Sequence, residues 1–221
     1  MENKLSFFFR HQIWHVGGTI ILFYIGSQFV DLDSNTNTFL EISALNWFII
    51  AMAIPLVHQI YVWICWRSEL CWKSISNSIG LKGYLIIFFI LIISRLSALV
   101  LCFIDYGSLY KPGLIAWGLS IIVFIPGIYT MYSVKKYFGF VRAAGADHFD
   151  PKYRDMPFEK RGIFKWSSNA MYTYAIAIPF GFAIATGSQS MFIVSLYTYI
   201  SIWLHYFCTE KEDFKIIYGN N

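Results

Sequence analysis

Residues 83–104 read GYLIIFFILIISRLSALVLCFI, a run in which Arg95 is the single charge. A hydrocarbon core of ~30 Å needs about 20 helical residues to cross it. The run also lacks the strict apolar–polar alternation of a barrel strand. Inside lipid the backbone must satisfy its own hydrogen bonds, so this segment is expected to be a helix. Comparable runs recur at 14–30, 45–66, 114–134, 170–187 and 191–207. The fold class is therefore all-α, a polytopic integral-membrane bundle of about six transmembrane helices. Composition agrees: 57% of residues are hydrophobic and only 14% charged, against roughly 25% charged in a soluble domain.

The basic residues set an orientation. Lys4 and Arg10 precede the first run; Arg67, Lys73 and Lys82 follow the second. Lys135, Lys136, Arg142, Lys152, Arg154, Lys160, Arg161 and Lys165 crowd the connection after the fourth. The alternate connections hold Asp31, Asp33, Glu41 and Asp105 with only Lys111. By the positive-inside rule both termini and the long charged loop face the cytoplasm. The net charge of +4 is thus a topological signal; its basic residues lie at the ends of spans rather than in the stripe that binds nucleic acid, so no nucleic-acid partner is expected. The first run follows basic residues as a signal peptide would, but no small-x-small cleavage site succeeds it, and a retained helix is expected. No Cys-x-x-Cys pair marks a metal site. The chain reads as one membrane domain: four spans in 1–134, a polar loop over 135–169, a helical hairpin over 170–207 and a cytoplasmic tail from 208 to 221.

Several polar residues interrupt the apolar runs. Arg95 is expected to face the bundle interior or a watery cavity, and His58, near Pro55, to contact a ligand or another helix. His15, beside Trp14, reads as an interfacial residue without a function. More specific is the stretch 161–172, RGIFKWSSNAMY, which runs straight into the fifth span. Ser167, Ser168 or Asn169 can cap that helix, whose exposed N–H groups attract an anionic ligand group. His205 and Glu210 leave the sixth span, and a hairpin returns them to the same face.

The order Gly162, Phe164, Asn169, Tyr172, then Glu210, Phe214, Tyr218 and Gly219 after a helical hairpin resembles the integral-membrane methyltransferases that include the isoprenylcysteine carboxyl and phosphatidylethanolamine N-methyltransferases. These typically carry a G-x-Y-x-x-x-R-H-P-x-Y segment and a Glu-Glu pair after the hairpin. Ser168, Ala170 and Lys211 depart from the family's Arg, Pro and second Glu, which leaves Arg161 or Lys165 as substitutes for the Arg. Upstream, Gly145-Ala146-Asp147-His148-Phe149 looks like the polar segment before the family's cofactor pocket.

The resemblance implies S-adenosylmethionine as cofactor and a lipid or lipophilic acceptor drawn from the bilayer, with the active face cytoplasmic. It implies a cofactor site of His148, Gly162, Asn169, Tyr172, His205 and Glu210. His148, His205 and Arg95 are the catalytic candidates. A sterol-type reductase using a nicotinamide cofactor, or a non-enzymatic membrane protein, remains open from the residues alone.

Overall fold

The structure, a computed structural model, describes residues 3–31 and 36–219; Asp33, counted above in the charge asymmetry, lies outside them. The helices are α1 (Lys4–Phe9), α2 (Gln12–Ser27), α3 (Ala44–Trp72), α4 (Gly80–Ile104), α5 (Leu114–Phe138), α6 (Phe140–Ala143), α7 (Pro151–Arg154), α8 (Ala170–Thr186) and α9 (Gln189–Tyr218). A two-stranded antiparallel hairpin, β1 (Thr38–Phe39) and β2 (Ile42–Ser43), precedes α3.

Four helices, α3, α4, α5 and α9, are long and apolar enough to cross a membrane. Of the six expected spans, four therefore lie in helices of full spanning length among the described residues. Runs 14–30 and 170–187 form shorter helices: α2 has 16 residues, about 24 Å at 1.5 Å per residue, and α8 is interrupted at residues 175–176. The interruption has a local cause, because Pro179 has no N–H to offer the Ala175 carbonyl. Gly187 then ends α8 at φ +60, where a Cβ would fall 2.1 Å from the Tyr110 carbonyl oxygen.

The tail is helical from 208 to 218. It does not leave the sixth span as a separate segment: α9 continues to Tyr218, with one π turn at Tyr206–Glu210. A π turn accommodates one extra residue and so changes which side chains face inward.

Close helix contacts follow from small residues. A Cβ on Gly127 of α5 would meet Ile178 at 2.6 Å, and one on Gly181 of α8 would meet Phe124 at 2.7 Å. Glycine there lets the two backbones approach, as membrane helices require. A buried polar chain joins α2, α3 and α9. Gln12 Nε2 donates to Thr209 Oγ1 at 3.1 Å, His15 bridges Gln12 and Gln59, and Gln59 Nε2 donates to Ser201 Oγ at 3.1 Å. His15 is fully buried in this chain rather than interfacial, while Trp14 is exposed.

Along α3 the core forms two separate blocks. Ala44, Phe48 and Met52 pack with Leu101, Met191 and Val194 at one end; Val62, Cys65 and Trp66 pack with Tyr84 and Phe149 at the other. Between them the bundle is hollow, with a cavity of about 630 Å³.

Candidate active site

The polar end of the bundle is organised by Arg67, which closes α3 and is fully buried. Its guanidinium donates to Asp213 Oδ1 and to the Phe7 carbonyl, and at 3.2 and 3.3 Å to the carbonyls of Cys208 and Thr209. Arg67 therefore does more than mark topology; it ties α1, α3 and the last turns of α9 together. The π turn shifts the helical register of the residues after it, and Asp213 faces inward, fully buried.

The loop docks on the same point. Gly145 sits at φ +80 with a Cβ position only 2.2 Å from Trp66, so no other residue fits there. The turn that follows lays His148 flat on Trp66, ring centroids 4.0 Å apart and planes 18° from parallel. His148 Nδ1 lies 3.1 Å from Asp147 Oδ1 and 3.2 Å from the Gly145 carbonyl; Nε2 faces Asp213 Oδ2 at 3.4 Å. Tyr218 at the end of α9 donates to Asp147 Oδ2 at 2.6 Å. Arg154 of α7 fixes the turn from outside, donating to the carbonyls of Asp147 and His148.

Burial alone would pull the His148 imidazole down, but the hydrogen bonds and charges of Asp147 and Asp213 outweigh it and push the group up to about 9. Asp147 is likewise subject to burial, which raises it; its bonds to His148 and Tyr218 win and hold it below the usual carboxylate range. His148 is thus a buried imidazolium between two carboxylates at neutral pH.

Across the bundle axis, Tyr172 on α8 donates its hydroxyl to Glu210 Oε2 in the π turn. This bond closes the loop-and-tail convergence through two helices, and the charges of His148, Asp147 and Asp213 all reach Glu210. Tyr172 and His205 also line the cavity, together with Arg95, His58 and Trp66. Five of the seven candidate site residues named above, Arg95, His148, Tyr172, His205 and Glu210, thereby meet along one path, from the docked loop to the hollow of the bundle.

Two do not join it as drawn from the sequence. Gly162, at φ +60, packs on α5, where a Cβ would lie 2.5 Å from Ser133 Oγ. Ser133 Oγ accepts the Ile163 N–H at 3.1 Å, so this glycine shapes the loop. Asn169 stands at the start of α8, yet its side chain caps nothing; its own N–H donates to Ser167 Oγ at 3.1 Å. Arg161 holds Glu159 through two bonds of 2.9 and 2.8 Å at the exposed surface.

Sequence reading missed Asp213, Trp66 and Gln59. Asp213 had a signal: it lies three residues beyond Glu210, on one helical face if α9 continues. Trp66 had none among so many aromatics.

Unsatisfied groups mark where a ligand belongs. His205 Nδ1 is buried without a hydrogen-bond partner, its ring 5.8 Å from that of Trp66, whereas His148 Nε2 and Asp213 Oδ2 answer each other as an ion pair at 3.4 Å; the Glu210 carboxylate and the Tyr172 ring lie on the same path. S-adenosylmethionine carries an ammonium, hydroxyls and a sulfonium cation, which suit carboxylates and ring faces; the residues present fit it. Glu210 would hold the ammonium or ribose hydroxyls, and Tyr172 would lie against the sulfonium. Neither the curated proteins nor the solved structures offer a match to the chain. Residues 115–221, a little under half of the chain, match the model of the phospholipid methyltransferase family, and this stretch is similar to that family of integral-membrane methyltransferases.

Proposed function

We propose that the chain is an S-adenosylmethionine-dependent methyltransferase whose acceptor is a lipid or lipid-like molecule reaching the cavity from the bilayer. The observation that carries this reading is the Tyr172–Glu210 bond beside the cavity, since it joins a polar site open to the loop with an apolar one open to the spans. When bound, the cofactor supplies a methyl group whose carbon–sulfur bond breaks as the acceptor's lone pair forms the new bond. The chain's own residues position and deprotonate. Glu210, Tyr172 and the start of α8 at Asn169 orient the donor, while the apolar cavity wall holds the acceptor's tail and excludes water. Correct alignment is the main catalytic resource for such a displacement. His205 Nδ1, which has no partner, takes the proton that an amine or thiol acceptor releases; a carboxylate acceptor releases none. His148 holds the loop against α9 through its Nε2–Asp213 contact. Both termini and the 135–169 loop face the cytoplasm in this reading, where the donor is dissolved.

The test incubates membranes holding the full chain with methyl-labelled S-adenosylmethionine and total lipid extract. Label is expected in lipid, with donor binding lost in Glu210→Ala and weakened in Asn169→Ala. Absence of donor binding by the wild type overturns the reading. For sidedness, Lys152→Cys should react only with reagents applied from the cytoplasmic side.

A further inference from the structure

The cavity holds a charge that nothing in the protein answers. Arg95 lines it from a tightened 3₁₀ stretch of α4, Arg95–Val100, whose three-residue repeat stacks Ala98 on the same side. Among the described residues no guanidinium nitrogen of Arg95 donates to a protein acceptor and no carboxylate pairs with it; Nε in particular is buried and unpartnered. Its neighbours deepen the imbalance. His58, with both ring nitrogens buried and unpartnered, lies within reach of its charge, as does His205. Tyr197 OH is also buried without a partner. The surrounding wall is Phe88, Ile92, Leu99 and other apolar side chains. Buried polar groups are otherwise satisfied throughout folded proteins, and the polar chain through Gln12, His15 and Gln59, the last of which lines the same cavity, shows this one meeting the rule. A half-buried guanidinium whose Nε is shut off from solvent, with no carboxylate paired to it and the unpartnered His58 and Tyr197 in the same apolar surroundings, is a site for an anion.

We infer that Arg95, with His58 and Tyr197, binds an acidic oxygen group, a phosphate or carboxylate, on an amphiphile whose tail fills the cavity. This rests on the proposed methyltransferase reading and refines it: acceptors bearing an acidic group beside the methylated atom are selected over uncharged ones. Arg95 is then a specificity-determining residue that touches the acceptor's anion; Tyr172 and His205, further along the same wall, face the group that receives the methyl.

Equilibrium binding to the purified full chain in an uncharged detergent tests it, with labelled probes in two pairs: oleate against methyl oleate, and oleoyl lysophosphatidylethanolamine against monoolein. Charge-assisted hydrogen bonds predict roughly 10- to 100-fold tighter binding of the acid-bearing member of at least one pair, and the pair with the larger ratio identifies carboxylate or phosphate as the source. Arg95→Gln should erase the ratio and Arg95→Lys retain part of it. Leu99→Trp, which fills the cavity while keeping Arg95, should abolish binding of all four and serves if Arg95→Gln does not fold. Equal binding within both pairs by the wild type, an unchanged ratio in folded Arg95→Gln, or unchanged binding by Leu99→Trp each overturns the inference. Donor binding, titrated separately with labelled S-adenosylmethionine, reports on the methyltransferase reading alone: its absence with the ratio intact removes that reading and leaves the anion site.

Discussion

Both ends of the bundle bury a carboxylate, and they do so in opposite ways. At one end Asp105 follows α4, and a single oxygen, Oδ2, accepts from Ser188 Oγ at 2.9 Å, from Ser190 Oγ at 2.6 Å and from the Ser190 N–H at 2.8 Å. All three partners are neutral and short, and Ser188 also caps α9 through the Met191 N–H. At the other end Asp213 faces Arg67 and His148, both ionic and both from distant parts of the chain. The first network fastens a turn; the second assembles a loop, a helix end and a π turn, and leaves His205 Nδ1, near Trp66, without a partner. A fastening can be completed by the protein alone, whereas a site that must receive a ligand cannot.

Replacing charge at each end should separate the two designs. Asp213→Asn leaves Arg67 buried without its counter-charge, and the expected loss is about 3–5 kcal/mol, read as a large fall in thermal unfolding temperature in detergent. Next in size is a pH effect. Because the folded-state value of His148 lies above the unfolded one of about 6.5, its stabilisation is fully present below pH 6.5 and disappears as pH rises through about 9. Unfolding temperature should therefore drop between pH 7 and 10, and His148→Gln should flatten that part of the profile. Smallest is Asp105→Asn: the amide oxygen can take the place of Oδ2 and keep all three donors, so about 1 kcal/mol is expected. A loss at Asp105 as large as at Asp213 would show that the contrast between the ends is false.

What was legible in the sequence follows the same division. Runs 45–66, 83–104 and 114–134 announced themselves because apolar length is a local property, and each lies within a helix long enough to span. The segment after residue 207 was misread as a tail because its charges, Glu210, Lys211, Glu212 and Asp213, look solvated in one dimension; only the π turn sorts them into buried and exposed faces. The burial of Arg67 is hidden for the same reason, since a basic residue at the end of a span fits the orientation rule whether or not it is buried. The pairing of Tyr172 with Glu210 was anticipated only as a shared face, because hydrogen bonds across 38 positions have no local signature. Residues alone leave methyl transfer and nicotinamide reduction open, and the match over 115–221 supports methyl transfer.

The unbroken course of α9 carries a consequence for the membrane around it. Its 30 residues extend about 45 Å, well beyond a hydrocarbon core of ~30 Å, so the same rigid rod that is embedded at Met191 also carries Glu210 and Asp213. The height of those carboxylates above the lipid is therefore set by bilayer thickness and helix tilt. In vesicles of graded acyl-chain length, activity should pass through an optimum, because lipid that is too thick or too thin moves its own headgroups out of register with the chemistry.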